Sequence, residues 1–115
     1  MKLKPVQLGE MKIDPIFVIP SGVITTTTDT CEKFSREGYV GAVYTKSITP
    51  KPKRGNREPI IAQSTQDTFI NAVGYTNVGL KEVLREFSDV KPIKPIIASI
   101  TAPSVKGFEY LARNI

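Results

Sequence analysis

Histidine and tryptophan are absent from this 115-residue chain, and cysteine occurs once, at position 31. Without histidine, the commonest metal ligand and the usual general base at neutral pH are missing. No metal site is expected, and acid–base chemistry falls to lysine, tyrosine, carboxylates or the lone thiol. One cysteine excludes an internal disulfide and suits a reducing cytoplasm. No apolar run approaches the ~18 residues of a membrane helix. Met1-Lys2-Leu3-Lys4 leads into a polar, proline-containing stretch, not the apolar core of a signal peptide. Neither a membrane nor a secretory route is therefore expected.

What is present is a basic balance, 16 Lys and Arg against 11 Asp and Glu, for a net charge of +5. The basic residues are spread along the chain, with one dense cluster at Lys51, Lys53, Arg54 and Arg57 among Pro and Gly. No nucleic-acid motif surrounds it. It reads as a solvated loop, and no nucleic-acid partner is expected.

Residues 3–13 read as two short strands, "LKPVQL" and "MKI", joined by a turn at Gly9-Glu10. "IFVI" (16–19) is an unbroken apolar run between Pro15 and Pro20, the pattern of a strand buried on both faces. Asp29 with Glu32 has the spacing of a capping box, predicting a helix that ends at Gly38 and turns Cys31, Phe34 and Tyr39 inward. Cys31 itself reads as a small buried hydrophobe. "GAVYT" (41–45) is the next buried strand. The segment from about Ile48 to Ile70 is rich in Pro, Gly and Asn and reads as a long irregular loop. "NVGLKEVLREF" carries an apolar stripe at 80, 83, 84 and 87. "PIIASI" (95–100) is a third buried strand. Ser104 caps a last helix with Val105, Phe108, Leu111, Ala112 and Ile115 inward.

After the first hairpin the order is β-α-β-loop-α-β-α, which implies a parallel sheet. A doubly wound sheet and a (β/α)8 barrel both fit. A barrel takes ~250 residues, so these units would form only its opening part.

In parallel α/β folds, ligands gather at the carboxyl ends of strands. Those ends are Pro20-Ser21-Gly22, Thr45-Lys46-Ser47 and Ser99-Ile100-Thr101. Each offers small hydroxyls, and the second adds a cation. Lys46 either snorkels to water or points into a site. "NAVGYTNVG" (71–79) sets Asn71 and Asn77 about Gly74. It reads equally as an Asn/Gly turn with a helix cap at Asn77 or as a loop that grips a planar polar molecule. No GxGxxG or Walker A pattern occurs.

"DPIFVIPSG", "GAVYTKSIT", "PKRGNREP", "NAVGYTNVG" and "PIIASI" together resemble the class 1, FMN-dependent dihydroorotate dehydrogenases, from about residue 11 to the end. The resemblance implies the N-terminal portion of a single (β/α)8 barrel preceded by a short β-hairpin. It implies FMN-dependent oxidation of dihydroorotate to orotate in pyrimidine synthesis. It assigns FMN contacts to Ser21, Gly22, Lys46, Ser47 and Ser99. Substrate contacts fall to Lys46, Asn71, Ala72, Val73, Gly74, Tyr75 and Asn77. Ser99 stands where relatives often carry Asn, Tyr75 where many have Leu, and Pro20 replaces a usual small residue. The catalytic base and the FMN phosphate site belong to later strands, so Cys31 is not that base. A homodimer or an electron-transfer subunit is the implied partner, and a 115-residue piece alone is expected to be inactive. The competing readings are a stand-alone binding or scaffold domain and a flavin enzyme acting on another dihydropyrimidine.

Overall fold

The computed structural model describes residues 4–115. The first expected strand begins at Leu3, which lies outside the described residues. Within them, β1 (Val6–Leu8) and β2 (Met11–Ile13) form an antiparallel hairpin in the register Val6 to Ile13. Gly9 makes the turn with a φ of 57°, a left-handed conformation that glycine adopts without a Cβ penalty.

A three-stranded parallel sheet follows, in the order β3 (Val18–Ile19), β4 (Ala42–Tyr44), β7 (Ile96–Ile97). Val18 pairs with Ala42, and Val43 with Ile96. Pairing continues past the strands through a parallel bridge between Ile48 and Ile100. The fold is thus mixed α/β around a parallel sheet, as the alternating pattern requires. Helix α1 (Thr28–Ser35) links β3 to β4. Helix α2 (Leu80–Phe87) precedes β7, and α3 (Val105–Asn114) follows it.

Two apolar clusters hold the helices to the sheet. Cys31, Val40 and Val43 meet Ile19, Phe34, Phe87 and Ile96. Ile48, Leu80 and Leu111 meet Val83, Ala98, Ile100 and Ala102. Gly41 lies where the chain enters β4. A Cβ there would stand 1.7 Å from the Pro15 carbonyl oxygen, so backbone contact alone demands glycine.

Several expectations change. Strand β3 covers only the end of "IFVI", and Phe17 and Val18 are exposed, so that run is not buried on both faces. Thr27, not Asp29, caps α1: its Oγ1 accepts the Thr30 N–H at 3.3 Å, while Asp29 sits in the first turn. The helix stops at Ser35, before Gly38, and Tyr39 is exposed. The expected irregular loop contains an antiparallel hairpin, β5 (Ile61–Thr65) and β6 (Thr68–Asn71). Gly79, not Asn77, is the N-cap position of α2, and Leu84 is exposed. Ser104 caps α3 as expected, its Oγ accepting the Gly107 N–H at 3.2 Å. Only Leu111 of that helix is buried; Val105, Phe108, Ala112 and Ile115 are exposed. No helix of the described residues is long and apolar enough to cross a membrane.

Candidate functional site

The carboxyl ends of β3, β4 and β7 do lie side by side, because the three strands are neighbours in one parallel sheet. The Ser47 hydroxyl stands 3.2 Å from that of Ser21 and 3.1 Å from that of Ser99. The ladder beneath is tight. Thr45 N–H donates to the Ile97 carbonyl at 2.9 Å, and Ser99 N–H donates to Thr45 Oγ1 at 3.1 Å. Lys46 N–H donates to the Thr25 carbonyl at 3.0 Å, tying the residue to a short 3-10 turn at Val23–Thr25. The Lys46 side chain is half-buried and makes no ion pair among the described residues.

Opposite this rim runs the stretch 71–77. It is zipped to residues 53–56 by backbone bonds: Asn56 N–H to the Val73 carbonyl at 3.1 Å, and Lys53 with Asn77 in both directions at 2.9 Å. Asn56 Nδ2 adds a bond to the Ala72 carbonyl at 2.8 Å. Gly74 has a φ of 77° and would place a Cβ 2.9 Å from Asn56. Tyr75 follows with a φ of 58°, a left-handed conformation uncommon outside glycine, and such strain tends to gather at functional positions. Its ring lies 5.5 Å from the Lys53 ammonium, within cation–π range.

Between these walls is a cleft of about 900 Å³. Ser21, Gly22, Lys46 and Ser47 line one side, and Asn71 through Tyr75 line the other. The structure therefore brings together nine of the residues singled out from sequence. Ser99 lies outside the lining, joined to it through Ser47. Asn77 also lies outside. Its Oδ1 accepts the Thr49 and Gly79 N–H groups at 3.2 and 2.8 Å, and its Nδ2 donates to the Tyr75 carbonyl at 2.7 Å. Its amide is spent on holding the loop.

Val23, Ile61 and Phe69 also line the cleft, and the sequence reading missed them. For the last two, the signal was present in the two-residue period of a strand: Phe69 precedes Asn71 by two and shares its face, and Ile61 pairs with Asn71. Cys31 is buried in α1, its Sγ donating to the Thr25 carbonyl at 3.7 Å. Burial pushes its thiol above the ordinary range, so it stays protonated and serves packing.

Gly22 differs from the other glycines named here. Its φ of 173° is ordinary extended backbone, and a Cβ built on it meets nothing within 4 Å. Nothing in the chain requires glycine there, yet it opens the cleft wall beside Ser21 and Lys46. A cation, hydroxyls and a bare backbone on one wall, carboxamide and peptide groups on the other, and the apolar side chains of Val23, Ile61 and Phe69 suit a flat, polar, anionic ligand. The open space beside Gly22 and the hydroxyl and ammonium groups of Ser21, Ser47 and Lys46 leave room and polar partners for a flat heterocycle.

The sequence pattern defining the family described as Dihydroorotate dehydrogenase matches residues 5–115. The chain is similar to proteins named "Dihydroorotate dehydrogenase B (NAD(+)), catalytic subunit". The one from Pyrococcus abyssi is 34% identical over 110 residues, 96% of this chain and 36% of that protein. The one from Methanosarcina mazei is 33% identical over 110 residues, 94% of this chain and 35% of its own length. That from Pyrococcus horikoshii is 31% identical over 114 residues, 99% of this chain and 37% of its own. The chain thus spans little more than a third of the length of these relatives.

Proposed function

The chain belongs to the dihydroorotate dehydrogenase family, and on that premise we propose that it forms the flavin- and substrate-facing part of an enzyme that oxidises dihydroorotate to orotate with FMN. The observation that carries this reading is the juxtaposition of Lys46, Ser47 and Gly22 with Asn71–Tyr75 across one cleft. The parallel β-α alternation supports the finer architecture, the N-terminal portion of a (β/α)8 barrel, whose C-terminal rim hosts the site.

FMN supplies the two-electron acceptor when bound. Gly22 would leave its ring an open surface, and Ser21, Ser47 and Lys46 would offer its heteroatoms hydrogen-bond partners, with Ser99 behind them. Lys46 would hold a positive charge in the cleft, able to offset the charge of an anionic substrate and of electrons passed to the flavin. Such a fixed charge strengthens once water leaves the site. Asn71, through its carboxamide, and the peptide groups of Ala72, Val73, Gly74 and Tyr75 orient the pyrimidine without adding charge. Asn77 fixes the loop that presents them. Ile61 and Phe69 add apolar surface to the cleft that would shed water once a ligand fills it. The relatives are named as NAD(+)-linked catalytic subunits, and we extend to this chain a further subunit, in the role of electron-transfer partner, and NAD+ as the acceptor.

The test is spectroscopic. The natural gene product containing this chain, once purified, is expected to carry flavin absorbance that bleaches anaerobically on adding dihydroorotate. A colourless protein that takes up no FMN overturns the reading. Flavin bleached by another dihydropyrimidine but not by dihydroorotate would overturn the substrate.

A further inference from the structure

Ser21, Ser47 and Ser99 form an unbroken hydroxyl row across the ends of three neighbouring strands, with separations of 3.2 and 3.1 Å. Each hydroxyl owns one proton and two acceptor lone pairs. The row holds three protons, and its two internal hydrogen bonds consume two of them. Whichever way each bond points, one proton remains for anything outside. A ligand in the cleft meets at most one hydroxyl donor, because the spare proton can rest on Ser99, along with several lone pairs, beside an ammonium at Lys46 that can only donate.

Ser21 and Ser47 line the cleft, but Ser99 does not. Ser99 is pinned by its backbone: its N–H donates to Thr45 Oγ1 at 3.1 Å, and its carbonyl accepts the Ile48 N–H at 2.8 Å. Its hydroxyl is thus a fixed partner for Ser47. If Ser47 gives its proton to Ser99, it accepts from Ser21 and turns its remaining lone pair toward the cleft. If it accepts from Ser99, its own proton is free for Ser21 or for a ligand.

We propose that Ser99 is a positioning residue that, through Ser47, sets the hydrogen-bond direction the cleft presents to its ligand. This rests on the FMN reading and sharpens it: the row favours a heterocycle edge carrying an N–H next to a carbonyl, an imide, over an edge made of acceptors alone. Deleting Ser99 therefore reaches the ligand only by way of Ser47.

A double-mutant cycle in FMN binding tests this, using the natural gene product stripped of flavin and titrated by fluorescence quenching. Ser99→Ala is expected to weaken FMN binding about threefold to tenfold, the worth of a misdirected hydrogen bond. In a Ser47→Ala background the same change is expected to alter binding by less than about 1.5-fold, because the connection is already cut. Ser99→Thr, which keeps the hydroxyl, restores wild-type binding. Equal effects of Ser99→Ala in both backgrounds, no effect in either, or failure of Ser99→Thr to restore binding overturns the role given to Ser99 while leaving the flavin site standing. A wild-type protein that binds no FMN overturns the proposed function along with it.

Discussion

Lys46 and Asn71 face one cleft from walls that are held very differently. Lys46 follows β4, whose Ala42 and Val43 have 0% exposed surface and whose neighbours pair with it on both edges. Asn71 ends a hairpin in which every strand residue is exposed. One wall is part of the core; the other stands on backbone bonds to residues 53–60. Under the proposed function, a charge that must not move sits on the first, and groups that must admit and release a ligand sit on the second. Exposed backbone bonds and little buried apolar area are what give a segment low local stability, whereas precise positioning needs a packed scaffold.

The contrast can be broken from the core outward. Leu111→Ala should have the largest effect, lowering stability by about 2–5 kcal/mol, because a fully buried leucine beneath Ile48 leaves a cavity. Chemical denaturation measures it; a loss below about 1 kcal/mol would mean that the wall under Lys46 is not core. Next comes Lys46→Ala, expected to lower the rate of dihydroorotate oxidation by ~10²–10³ and to weaken orotate binding. Steady-state rates within about twofold of wild type would remove Lys46 from the chemistry. Asn71→Ala on the hairpin wall should raise KM, by about 1–3 kcal/mol in apparent binding, with flavin content kept. Loss of FMN in this variant would reassign the loop to the cofactor. Smallest of all, Ile70→Ser, on the hairpin face away from the cleft, should stay within about 0.5 kcal/mol of wild-type stability. A larger loss in thermal melts would show that the hairpin is packed after all.

The sequence was most legible where one residue type has one job. Ser104 before an apolar-periodic run caps α3, and the apolar run at 42–44 is the central strand. Legibility failed where several residues offered the same chemistry. Thr27 and Asp29 can each cap α1, and only the backbone entry angle selects Thr27. The β5–β6 hairpin was hidden because its strands carry Gln, Ser and Thr, behind a Pro- and Gly-rich lead-in that reads as loop. The strand-end hydroxyls and Lys46 were visible as a rim. The bonds linking the three serines were not, since they depend on strand register and on how each chain leaves its strand. Asn77 reads like Asn71 in sequence, and the separation of their tasks appears only once the amide of Asn77 is found occupied.

The contrast between Gly22 and Gly41 bears on what mutational variation can reveal. At position 41 almost any substitution meets the Pro15 carbonyl, so a library screened only for soluble expression would return glycine. At position 22 the same screen would return nearly every residue, because a side chain there enters open space. If the proposed function holds, a screen for flavin retention would collapse position 22 back to glycine. Two glycines indistinguishable on paper would then carry separate signatures, one of survival as a fold and one of survival as an enzyme.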